Sequence, residues 1–152
     1  MDIAIVGATG NVGRKTLEVL QQKNLNIDNL YLMASPNSAG KQLEFNGKKY
    51  SIENLENYDF SKAKITFFAA GGKISEQYAE KAAKHTTVID NSSYFRMDPD
   101  VPLIVPQVNA KDIQNMKKNI IANPNCSTAQ LVLVLKPCLL YTSDAADEKR
   151  CV

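Results

Sequence analysis

The sequence predicts an α/β fold, a Rossmann-like, doubly wound and mostly parallel sheet, and three observations predict it. Short apolar runs of strand length alternate with helix-forming stretches, the pattern of βαβ units. A glycine-rich turn follows the first apolar run directly. Each run ends in a loop rich in Gly, Ser or Asn, on the edge along which open α/β sheets bind ligands.

Residues 2–6 are the first strand and lead into Gly7-Ala8-Thr9-Gly10-Asn11-Val12-Gly13. A helix over 14–23 follows, its buried face expected from Val12, Thr16, Val19 and Leu20. After a polar break at 24–29, Leu30-Tyr31-Leu32-Met33 is a second strand, and residues 34–41 form a turn-rich loop. Residues 42–52 read as a small hairpin around Asn46-Gly47. The next buried strand, 64–68, ends in Ala69-Ala70-Gly71-Gly72 and precedes a helix over 74–84 with Ile74, Tyr78 and Ala82 on one stripe. A strand at 86–90 ends in Asn91-Ser92-Ser93-Tyr94-Phe95-Arg96. Apolar runs at 103–105 and 119–122 come next, the second leading into Asn123-Pro124-Asn125-Cys126-Ser127 and an apolar helix to residue 135.

Composition excludes several classes. The 152 residues are 44% hydrophobic and 22% charged, an ordinary globular balance. No apolar run reaches the length of a membrane helix, and Met1-Asp2-Ile3 lacks the start of a signal peptide. A net charge of +2 gives no argument for a nucleic-acid partner. Cys126, Cys138 and Cys151 show neither disulfide-framework nor metal-site spacing, so no metal and a cytoplasmic setting are expected. From Cys138 the string resembles a translated transposon-type sequencing adapter. The expected domain is therefore 1–137, the start of a longer protein, with 138–152 a non-native tail.

The glycine loop points to a dinucleotide. Gly7 suits the tight strand-to-helix turn, Gly10 a close approach of backbone to pyrophosphate, and Gly13 the packing of helix on sheet. An NAD site commonly carries a carboxylate at the end of the second strand. Here Ala34-Ser35 stands there, with no carboxylate before Glu44 and with Lys41 nearby. That favours NADP, although Ser35 and Ser38 also suit simple turn capping.

Cys126 begins a predicted helix, where the backbone amides favour an anionic sulfur and an oxyanion beside it. A small buried hydrophobe is the alternative. Arg96 is one of three arginines, with Arg14 and Arg150, and its place after a strand end suits bidentate recognition of an anion. An exposed surface arginine is the competing reading. His85 is the lone histidine and reads as a helix-end residue, which leaves Cys126 without a general base in this chain.

The segments 7–13, 34–41, 90–96 and 123–128, in this order and spacing, resemble the N-terminal part of the bacterial aspartate-semialdehyde dehydrogenases. The resemblance runs from residue 1 to about 137. It implies NADPH-dependent reductive dephosphorylation of 4-aspartyl phosphate to aspartate 4-semialdehyde, on the route to lysine, threonine, methionine and isoleucine. It also implies that Cys126 forms the acyl-thioester and that Arg96 and Asn125 hold the substrate phosphate. By the same resemblance Thr9, Gly10, Asn11 and Val12 match the cofactor phosphate loop, and Gly7, at its tight turn, is counted with them as cofactor-binding. Ser35, Asn37 and Ser38 surround the 2′-phosphate, and Ala70, Gly71 and Gly72 form a turn beside the cofactor. Asn37 departs from the family, where arginine is common. The family's second domain supplies a glutamine, an arginine, the general-base histidine and most of the interface of a homodimer or homotetramer. The fragment alone is therefore expected to be inactive. N-acetyl-gamma-glutamyl-phosphate reductase and a non-catalytic nucleotide-binding module are the alternatives, the first disfavoured by the strings around Arg96 and Cys126.

Overall fold

The structure, a computed structural model, describes the backbone of residues 1–148 and side chains through 139. Arg150 and Cys151 lie outside the described residues. The elements are β1 (Ile3–Val6), α1 (Asn11–Gln22), β2 (Leu30–Ala34), β3 (Gln42–Phe45), β4 (Lys48–Asn54), β5 (Ile65–Phe68), α2 (Gly72–Ala83), β6 (Thr87–Asp90), α3 (Pro106–Asn109), β7 (Ile120–Ala122) and α4 (Cys126–Glu148). Among them no helix is long and apolar enough to cross a membrane.

Among the described residues seven strands form one sheet in the order β3-β4-β2-β1-β5-β6-β7. Only β3 is antiparallel, paired with β4 through a turn in which Asn46 (φ 49°) and Gly47 (φ 74°) are both left-handed. The hairpin expected over 42–52 is thus present. β4, however, continues past it to pair in parallel with β2, Leu32 opposite Ile52. Counted alone in chain order, the six parallel strands read 3-2-1-4-5-6, the doubly wound order. The order reverses between β1 and β5, and the carboxyl ends of those strands frame a crevice.

Two cores flank the sheet. On one face Ile3, Ile5, Leu30 and Leu32 pack with Leu17 and Leu20 of α1. On the other, Ala4, Val6, Phe68 and Val88 pack with Ala79 and Ala82 of α2. The buried face of α1 is Gly13, Leu17 and Leu20, not the expected set, of which only Leu20 holds. Val12 and Val19 are 51% and 40% exposed, and Thr16 turns its hydroxyl onto the Val12 carbonyl (2.9 Å). The helix begins at Asn11, and this start seats Gly13 against the first loop. On α2 the innermost stripe is Ser75, Ala79 and Ala82, with Ile74 and Tyr78 packed at its flank. Each fully buried leucine contributes about 1.5–3 kcal/mol. Beyond β6 the chain makes no further strand until β7, because residues 103–105 form only one bridge, Leu103 to Ala122. α4 runs past the expected boundary, with Pro137 inside it.

Candidate active site

The glycine turn is built by three close approaches. The Gly7 and Ala8 amides both donate to the Met33 carbonyl (2.8 and 3.1 Å), tying the loop to β2. Gly7 sits at φ +83°, and a Cβ there would lie 2.8 Å from the Ala69 oxygen. A Cβ on Gly13 would lie 2.2 Å from the Gly7 oxygen. Arg14 Nε donates to the Thr9 carbonyl (3.0 Å), which fixes the loop crest. Gly10 is the N-cap of α1 and no side chain among the described residues caps the helix, which suits its first-turn amides to an anion.

Beside this turn lies a cavity of about 320 Å³. Val6, Gly7 and Thr9 wall it from β1, Ala34, Ser35 and Pro36 from β2, and Ala70, Ile74 and Tyr78 from the start of α2. Of the expected cofactor residues it therefore gathers Gly7, Thr9, Ser35 and Ala70. Gly10 is next to it at the helix N-cap, and Gly71 and Gly72 open α2 just behind Ala70. Asn37 and Ser38 sit in a 3-10 turn, Pro36–Ser38, outside the lining. The side chains of Asn11 and Val12 line a different hollow, on the α1 face of the sheet.

One wall was not legible. Asn54, Leu55 and Glu56 enter the cavity from the end of β4, with Asn54 Oδ1 accepting the Glu56 amide (3.2 Å). The sequence places no carboxylate at the end of β2, yet the β4–β2 pairing brings Glu56 to the same cavity from well downstream in the chain. A parallel strand hidden behind a hairpin left no signal other than the length of the run after Gly47.

The second half of the edge is a polar network. Asp90, fully buried, accepts from the Ser75 hydroxyl (2.8 Å), the Ser92 amide (2.9 Å) and the Ser92 hydroxyl (2.7 Å). Asn91 and Asn123 join the ends of β6 and β7, Asn123 Nδ2 donating to Asn91 Oδ1 (2.8 Å). Arg96 leans across them: Nε donates to the Asn123 carbonyl (3.0 Å) and Nη2 to the Asn91 carbonyl (3.2 Å). A guanidinium has five N–H groups. Those left over have no protein acceptor among the described residues.

Three residues after Asn123 comes Cys126, exposed, the first residue of α4. Asn125 caps that helix, its Oδ1 accepting the Ser127 amide (3.0 Å), with the Cys126 Sγ 3.8 Å away. Arg96, Asn125 and Cys126 thus share the stretch of edge just after β6 and β7. His85 is exposed and follows α2 at the opposite edge of the sheet, consistent with a helix-end residue.

Residues 2–116 match the family model described as semialdehyde dehydrogenase, NAD binding domain. The chain belongs to that family. As a semialdehyde dehydrogenase domain it is 53% identical, over 154 aligned residues, to an aspartate-semialdehyde dehydrogenase of Aquifex aeolicus (strain VF5), covering 99% of this chain and 44% of the relative. It superposes on the crystal structure of aspartate semialdehyde dehydrogenase II complexed with ASA from Vibrio cholerae with a TM-score of 0.88 at 49% identity, covering 90% of this chain and 45% of that one. Against aspartate semialdehyde dehydrogenase with NADP from Candida albicans the TM-score is 0.71 at 26% identity, covering 92% and 47%. The chain spans less than half the length of these proteins.

Proposed function

We propose that this chain is the nucleotide-binding part of an NADP-dependent aspartate-semialdehyde dehydrogenase, with Cys126 as nucleophile and Arg96 as the phosphate fork. The observation that carries the reading is the bracing of Arg96 on the Asn91 and Asn123 carbonyls, three residues ahead of Cys126, on the edge that also bears the glycine turn. Close relatives named for this activity support it.

In this reading the Cys126 sulfur attacks the acyl carbon of 4-aspartyl phosphate. The S–C bond forms, the C–O bond to phosphate breaks, and inorganic phosphate departs onto the free N–H groups of Arg96. Amides at the start of α4 stabilise the oxyanion. The nucleotide, when bound, supplies hydride, which reduces the thioester and frees the sulfur as the aldehyde leaves. The uncapped start of α1 and the positions where a Cβ would collide, at Gly7 and Gly13, fit a pyrophosphate drawn close to the backbone. Ser35 on the cavity wall suits a 2′-phosphate, and Glu56 on the same wall loosens that preference. The exposed free thiol of Cys126 fits a reducing, cytoplasmic setting.

The test is the reverse reaction in the whole protein, following NADPH formation from aspartate semialdehyde, NADP and inorganic phosphate. Turnover that needs phosphate and is lost at least 10³-fold in Cys126→Ser, with NADP binding intact, is expected. Turnover retained by Cys126→Ser rejects the nucleophile.

A further inference from the structure

Asp90 is a carboxylate with no exposed surface and, among the described residues, no cation partner, standing between the two halves of the edge. We propose that Asp90, acting through Ser92, is the positioning residue that holds the Arg96 guanidinium open for a phosphate dianion, while its bond to Ser75 ties that fork to the start of α2. The inference rests on reading Arg96 as the anion fork.

The chain of contacts runs in one direction. Ser75 lies in the first turns of α2, the helix whose opening residues flank the nucleotide cavity. Its hydroxyl donates to Asp90 Oδ1. Asp90 Oδ1 also takes the Ser92 amide, and Oδ2 takes the Ser92 hydroxyl, so both oxygens are engaged. The Ser92 oxygen then accepts the Tyr94 amide (3.1 Å), which closes the turn that carries Arg96. Phe95, 2% exposed, anchors the same turn in the core. Arg96 therefore reaches the Asn91 and Asn123 carbonyls from a loop whose opening turn is set by one buried carboxylate. Bonds to a charged acceptor are stronger than neutral ones, and a buried one left unmade is costly. A buried carboxylate without a cation is costly unless its oxygens are satisfied, and here three donors satisfy them, two of them from Ser92 in the turn that leads to the fork.

The experiment uses the whole protein and inorganic phosphate as probe, read two ways: equilibrium binding by phosphorus NMR, and the phosphate KM of the reverse reaction. Ser92→Ala is expected to weaken phosphate about tenfold in both, with kcat and the NADPH dissociation constant within about twofold of wild type. Ser75→Ala, which leaves both Ser92 bonds in place, is expected to weaken phosphate less. In an Arg96→Ala background, Ser92→Ala is expected to add nothing further. Unchanged phosphate binding in Ser92→Ala overturns the proposal. So does an equal loss of phosphate and nucleotide, or additivity with Arg96→Ala, since either marks a merely structural bond. Asp90→Asn is the stronger variant, and Ser92→Ala decides the matter if Asp90→Asn does not fold. Failure of the reaction itself is distinguishable: wild type that binds phosphate, responds to Ser92→Ala and shows no turnover removes the activity and keeps the positioning role.

Discussion

A side chain at Gly13 meets backbone rather than a movable neighbour, the Gly7 oxygen at 2.2 Å and the Ala8 Cα at 2.7 Å. Gly13→Ala is therefore expected to cost about 2–4 kcal/mol in unfolding free energy and to abolish nucleotide binding. Denaturant titration and NADPH fluorescence check this, and a variant of wild-type stability refutes it. Tyr58 runs the other way. Its hydroxyl is buried with no hydrogen-bond partner among the described residues, and burial, with the nearby Tyr31 and acidic groups, pushes its ionisation upward, so it stays a neutral orphan. Tyr58→Phe is expected to be neutral or to stabilise by up to about 1 kcal/mol, read as a raised Tm. At Glu56, substitution by Gln removes a carboxylate from the proposed 2′-phosphate end of the cavity and is expected to tighten NADP about threefold to tenfold while leaving NAD nearly unchanged. That Gly7, Thr9, Ser35, Arg96 and Cys126 lie along one edge of the sheet was legible because each follows a strand end within six residues. Glu56 and Asp90 were not: one arrives through a distant strand pairing, and the other is the last residue of a strand with its side chain turned inward.

At the scale of elements, the loop after Arg96 is clipped to its neighbours by charge. Lys118, just before β7, donates to Glu80 on α2 (3.0 Å) and Asp98 on the loop (2.9 Å), and both bonds hold its ammonium protonated to higher pH than usual. The Asp100 amide, and then Lys118, hold the Asp98 carboxyl below the usual carboxylate range. With its folded pKa depressed, Asp98 contributes stability above about pH 4, lost as pH falls through the folded value. Asp98→Asn should accordingly lower Tm more at pH 7 than at pH 2. An equal deficit at both pH values would assign the effect to packing. Hydrophobic spacing located α1 and α2 but chose the wrong inward face of α1. Periodicity assumes that every apolar side chain goes inward, whereas Val12 and Val19 border a surface hollow.

That hollow is a property of the whole molecule. Val12, Thr16 and Val19 of α1, with Phe67 and Ile89 on the sheet, surround about 660 Å³ of open space on the α1 face of β5 and β6. On the opposite face the same strands lie under α2. Leu131, Leu133, Val134 and Leu135 of α4 are likewise 43–65% exposed. So much apolar surface on a chain spanning 44% of its Aquifex relative predicts strong binding of a hydrophobic dye to the native state and self-association at high concentration. Dye-silent, monodisperse protein would contradict that.

The central claim is that nucleotide, anion fork and thiol meet on one edge of the sheet, and a crystal structure of the whole protein with NADP bound tests it most directly. The account predicts the adenosine in the cavity between Gly7, Ser35 and Glu56, with the nicotinamide C4 within roughly 3.5–4 Å of the site where a thioester on Cys126 would stand. A nicotinamide directed away from Cys126, or a nucleotide bound elsewhere, would contradict it.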